Sequence, residues 1–125
     1  MESLSHEMLP EDEYPKLVRD NIPDIIKART GSGPEQRTAE SDAEFETFLL
    51  KKIAEEADEL RRAAEKGNVE EEIADINELL ETLMRFKDMK AEEVARIQVE
   101  KRERNGGFEK RIIMLSKVPK PEDPQ

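Results

Sequence analysis

Two pairs of acids in this chain are spaced for joint work: Glu56 with Glu59, and Glu72 with Asp75. Carboxylates three residues apart on a helix sit on adjacent turns of one face, so each pair can converge on a single point. Two such helices folded against each other would bring four carboxylates together. Their placement against the apolar positions separates them from the many other acids. Phe45, Leu49, Ile53, Ala57, Leu60 and Ala64 form one stripe at helical spacing, with Glu56 inside it and Glu59 at its margin. Val69, Ile73, Ile76, Leu80, Leu83 and Met84 form a second, with Glu72 inside and Asp75 at the edge. Acids turned toward apolar surface lose hydration and need a cation. An all-oxygen donor set suits a hard divalent ion such as magnesium, which keeps positions for water and substrate phosphates. These four acids are therefore the candidate metal ligands and catalytic groups.

Helices have to position them. Ser41 followed by Glu44 is a capping-box pattern, and an amphipathic helix is expected from there to about Lys66, where Gly67 can supply a left-handed stop. Asn68 and Glu71 repeat the cap signature, and a second helix is expected to about Lys87. The short Gly67-Asn68 link makes the two an antiparallel hairpin. Upstream, residues 15–28 (PKLVRDNIPDIIKA) read as a short extended start and a helix entered near Asp20 or Asn21, with Pro23 in its first turn. TGSGP, residues 30–34, is a loop by composition.

Downstream, a third main helix is expected from about Ala91 to Arg104, with Val94 and Ile97 on its inner face and Lys101 and Arg104 continuing that face. Gly106-Gly107 reads as its C-terminal cap rather than a phosphate-cradling nest. FEKRIIML, residues 108–115, reads as an extended or docking segment with Phe108 as a core anchor. The fold class is all-α, a helical hairpin plus a third helix, over a domain at 14–115. A flexible leader at 1–13, which holds His6, precedes it and a disordered tail at 116–125 follows.

Composition narrows the function classes. The 125 residues suffice for one domain with a modest core, 35% being hydrophobic. A net charge of −10 argues against nucleic-acid binding through a basic surface. The absence of cysteine excludes disulfides and a zinc site of the usual Cys/His type. No stretch reads as a targeting signal or a membrane span, so a soluble, cytoplasmic protein is expected. Phe48, Leu79 and Phe86 at the stripe edges would leave apolar surface open, and pairing of two hairpins into a four-helix-bundle-type oligomer would cover it. At least a homodimer is expected, as dimer or tetramer.

The segment KKIAEEADEL followed by EEIADINELLE resembles the ExxE…ExxD signature of the all-α nucleoside triphosphate pyrophosphohydrolases, the MazG-like superfamily. KLVRDNIPDII near the start and KRERNGGFEKRIIML near the end resemble its branch labelled phosphoribosyl-ATP pyrophosphohydrolase-like, so the resemblance spans roughly residues 14–115. It implies cleavage between the α and β phosphates of a nucleotide, dependent on magnesium or manganese, with Glu56, Glu59, Glu72 and Asp75 as metal ligands and Glu55 as a helper. It also implies dimers or dimers of dimers, and a basic residue late in the chain that meets phosphate.

A triphosphate brought to so acidic a protein needs cations, and Lys52, Lys101 and Arg104 are the candidates. Arg19, with Asp20, either lines the site or a subunit interface or fixes the arm by a local ion pair. Asn77 and Asn105 could meet a base, and are as readily surface or cap residues. The expected activity is removal of surplus or non-standard nucleotides. The alternatives are phosphoribosyl-ATP hydrolysis in histidine biosynthesis and a non-enzymatic helical module that binds nucleotide or a partner protein.

Overall fold

The computed structural model describes residues 14–119, so the expected leader at 1–13, His6 within it, and residues 120–125 of the tail lie outside the described residues. The described chain is helical: α1 (Ile22–Thr30), α2 (Asp42–Lys66), α3 (Val69–Phe86) and α4 (Ala91–Asn105), with no strand among the described residues. None of these helices is long and apolar enough to cross a membrane.

The helix ends follow local chemistry. Ser41 is extended, and its Oγ accepts the Glu44 backbone N–H at 3.1 Å. The Glu44 carboxylate reaches back to the Glu40 N–H at 2.9 Å, one residue beyond the usual return of a capping box, and takes both guanidinium arms of Arg37 at 2.6 and 3.0 Å. The Arg37 guanidinium and the Glu40 amide hold Glu44 down at a pKa of about 2. Gly67, at φ 87°, stops α2 in the left-handed region that side chains rarely adopt. Asn68 makes no side-chain cap to α3, contrary to expectation; Glu70, Glu71 and Glu72 in the first turn complement the helix dipole instead. α1 carries Pro23 in its first turn and runs two residues beyond the expected end, to Thr30, because Gly31 is the first residue that turns left-handed.

The chain divides between Asp88 and Met89 into two compact units. In the first, α2 packs on α3 as the expected hairpin, closed by its two-residue link. Among the described residues, Leu49, Ala63 and Ile22 are its buried apolar ones. Phe45 and Phe86 meet edge to face, 5.1 Å between centroids, and Glu46 pairs with Lys87 at the same end. Phe48, Leu79 and Phe86 are partly buried within this unit rather than open; Leu50, Ile73 and Leu80 are the exposed large apolar residues of the hairpin, the last two against their expected place on its inner stripe.

The second unit consists of α4 and the segment after it. α4 is polar nearly all round and is laced by Arg96 pairing with both Glu93 and Glu100. Val94 and Ile97, expected to face inward, are 39% and 43% exposed, since so sparse an apolar stripe buries little. Gly106 caps the helix as expected. Arg102 and Glu109 pair across Gly107, where a Cβ would collide with the guanidinium. Phe108 is 95% exposed and anchors no core; residues 111–116 have no regular structure.

Candidate metal centre and its cleft

Three of the four expected acids converge. Glu56 from the middle of α2 and Glu72 and Asp75 from the first half of α3 each offer a carboxylate oxygen, all within 4.8 Å of one another. The hairpin explains the meeting: antiparallel packing sets the middle of α2 beside the start of α3, and spacings of three residues keep each acid on the inner face. Glu56 is 1% exposed, and Oε2 of Glu72 is buried. Glu59 stands outside this group. It lies at the stripe margin and hydrogen-bonds to Arg62 at 3.3 Å. Asp58 beside it pairs with Arg61 and Arg62, which hold its carboxyl below the usual carboxylate range.

Cations interleave the acids. Lys52, 4% exposed, places Nζ 3.5 Å from Glu56 Oε1 and 3.6 Å from Glu55 Oε2. Lys16 reaches Glu55 Oε1 at 3.5 Å, and Arg19 Nη2 donates to Asp75 Oδ1 at 2.7 Å. Among the described residues, four carboxylates, Glu55, Glu56, Glu72 and Asp75, thus stand with three cations, Lys16, Arg19 and Lys52. Charges withdrawn from water interact strongly, so such a cluster favours a further cation.

The donor set fits a hard divalent ion. Magnesium takes oxygen ligands, and the three carboxylate oxygens, all within 4.8 Å of one another, are near enough to meet on one ion. Glu56, Glu72 and Asp75 are the residues that could hold it.

Two of these acids, Glu56 and Asp75, line a cleft of about 580 Å³. Its α1 side is formed by Leu17, Val18, Asp20, Ile22 and Ile25, and its hairpin side by Phe45, Lys52 and Glu56 of α2 and Asp75, Glu78, Leu79, Thr82 and Arg85 of α3. Arg19 lines the cleft as well, and its ion pair reaches across to the hairpin rather than to its neighbour Asp20. Lys101 and Arg104 are exposed on α4, in the second unit, and Asn105 ends that helix. Asn77 is exposed on α3.

Lys16, Glu78, Thr82 and Arg85 were not among the residues picked out by pattern. The last three were legible in principle, because 75, 78, 82 and 85 recur at intervals of three and four and so share a face with Asp75. Comparison with protein-family models, with curated protein sequences and with solved structures returned no match for this chain. The described residues form an all-α protein of four helices whose hairpin carries an acidic cluster that could hold a metal ion.

Proposed function

We propose that the protein is a metal-dependent nucleoside triphosphate pyrophosphohydrolase of the MazG-like kind, cleaving the α–β phosphate linkage of a nucleotide to give a monophosphate and pyrophosphate. The observation that carries this reading is the convergence of Glu56, Glu72 and Asp75, two of which, Glu56 and Asp75, line a cleft together with Lys52 and Arg19. Carboxylates alone would repel a polyphosphate; carboxylates with interleaved cations can receive one through a divalent ion.

Magnesium or manganese held there would neutralise charge on the phosphate oxygens and acidify a water. The chain's own groups do the rest. A carboxylate of the cluster accepts the water's proton as its oxygen bonds to phosphorus and the bond to the bridging oxygen breaks. Lys52 and Arg19 face the phosphates, and Glu55, held between Lys16 and Lys52, fixes the position of Lys52. Ile73 and Leu80, exposed seven residues apart on α3, supply an apolar line for pairing with a second copy.

The test is pyrophosphate release from a panel of nucleoside triphosphates and phosphoribosyl-ATP, with and without magnesium. Metal-dependent release that disappears in Glu56→Ala and Glu72→Ala is the expected result. Absence of release from every substrate by folded protein would reject the reading in favour of a binding module.

A further inference from the structure

The second unit leaves a run of apolar side chains to water: Phe108, Ile112, Ile113, Met114, Leu115 and Val118 are each 75–95% exposed. Side chains of these kinds carry roughly 100 Å² of apolar surface apiece, so the run exposes on the order of 500 Å². That is large for a patch a monomeric protein leaves open, and it is about the apolar share of one side of a standard interface. A braced turn presents the run. The Arg111 N–H donates to the Phe108 carbonyl at 3.0 Å and closes the turn, and Arg102 pairs with Glu109 inside it, which ties it to α4. Lys110 and Arg111 precede most of the apolar residues, Lys117 lies among them, and all three cations are exposed.

The hairpin offers the opposite charge. Glu70, Ile73, Asn77 and Leu80 recur at intervals of three and four and so share one face of α3, with Glu81 next to Leu80, and all five are exposed. Residues 14–88 hold more Asp and Glu than Lys and Arg, and residues 89–119 hold the reverse. Two copies of this α3 face set against each other would bring together the acids of both, and like charges oppose such a contact. A basic apolar segment matches the face in both respects.

We infer that residues 108–118 of one copy dock on this face of α3 in a second copy, the apolar run covering Ile73 and Leu80 while Lys110, Arg111 and Lys117 meet Glu70 and Glu81. The inference rests on the pairing through α3 proposed above and names what the second copy brings to it. Each chain carries both surfaces, so two copies exchange the contact and close as a dimer. Ile73 and Leu80 are not among the residues that line the cleft, so the contact can be removed without altering the cleft wall.

The test is sedimentation equilibrium of the full chain over a range of concentrations. The parent should dimerise, and Ile113→Ser with Leu115→Ser should weaken dimerisation by about tenfold or more, as should Leu80→Glu. Val99→Ser, which removes an exposed apolar side chain of α4 outside the run, should leave it unchanged. Lys110→Glu with Arg111→Glu should weaken it as well. Adding Glu70→Lys and Glu81→Lys to that chain should restore it, because the charges then meet with their signs exchanged. Mixing the Leu80→Glu chain with the Ile113→Ser, Leu115→Ser chain should give a heterodimer stronger than either homodimer, since one apolar run and one α3 face are intact between them.

Dimers weakened by Leu80→Glu yet unmoved by the changes at 110, 111, 113 and 115 keep the α3 pairing and overturn the inference. A parent that stays monomeric overturns both. Flotation with vesicles containing phosphatidylglycerol covers a different occupant: a monomeric parent that binds them, and loses binding in Ile113→Ser with Leu115→Ser, assigns the run to an anionic lipid surface and overturns the inference too. Each of these outcomes leaves the hydrolytic reading to its own test.

Discussion

Arg19 Nη2 meets Asp75 Oδ1 at 2.7 Å, joining the segment before α1 to the acid cluster across 56 positions of sequence. The same oxygen atom belongs to a residue that could ligate metal, so the arm and the cation draw on one carboxylate. Arg19 is 52% exposed and Asp75 29%, so the pair is screened by solvent and adds about 1 kcal/mol or less to stability. Arg19→Gln should therefore barely move the melting temperature. It should tighten magnesium binding, by removing the competitor for Asp75, and raise KM for the nucleotide; titration calorimetry and steady-state kinetics check the two parts.

Lys52 and Glu56 are a different case, because both are buried. Removing one member of a buried pair leaves its partner uncompensated and typically costs about 3–5 kcal/mol. Lys52→Met should lower unfolding free energy by about that much in denaturant titrations without metal. Added magnesium should recover part of the loss, since it returns positive charge to the cluster. Equal destabilisation with and without magnesium would count against the cation site.

Glu59 separates the structural reading from the expectation of four ligands. Ligand binding to the folded state stabilises by about 2.7 kcal/mol at a hundredfold excess over the dissociation constant. Thermal melts with and without magnesium should show a shift in the parent and in Glu59→Ala, and none in Glu56→Ala or Glu72→Ala. A shift lost equally in Glu59→Ala would place that residue among the ligands.

The start of α2 carries a pH dependence of definite sign. Glu44 titrates near 2 in the fold, below the usual carboxylate value, chiefly through its hydrogen bonds from Arg37 and the Glu40 amide. A lowered folded-state pKa contributes stability above about pH 4.5, and the contribution is lost as pH falls from there toward 2. Removing Arg37 should shrink it. Circular dichroism between pH 5 and about 2 should show Arg37→Ala losing helix at a higher pH than the parent, and coincident curves would contradict the assignment.

Ile73 and Leu80 lie two helical turns apart and are 44% and 41% exposed. If the hairpin pairs with a second copy through this line, Leu80→Glu should shift the mass measured by light scattering toward the monomer, because a charge would be buried unpaired. A parent chain that is already monomeric would reject the pairing.

Much of the fold was readable from local chemistry. Ser41 with Glu44, Gly67 and the stripe through Leu49 each act within a few residues, so they marked the ends of α2 and much of its inner face, whereas Ile73 and Leu80 of the second stripe, and Ala57 and Ala64 of the first, are exposed. The same periodicity put Glu56, Glu72 and Asp75 toward the interior. It misled at Val94, Ile97 and Phe108, where an apolar side chain implied burial that the sparse neighbourhood of α4 does not supply.

The one-dimensional pattern determined which helices form and, within a residue or two, where they stop, since hydrogen bonds along a helix are local quantities. Only the tertiary structure decided which acids meet. Three converge and Glu59 turns to Arg62, because a difference of one helical turn at the edge of a stripe depends on how α2 sits against α3. The placement of α1 was likewise decided by packing: the Arg19–Asp75 ion pair, and a cleft that Ile22 and Ile25 line together with residues of the hairpin, are long-range relationships that local spacing along the chain does not encode.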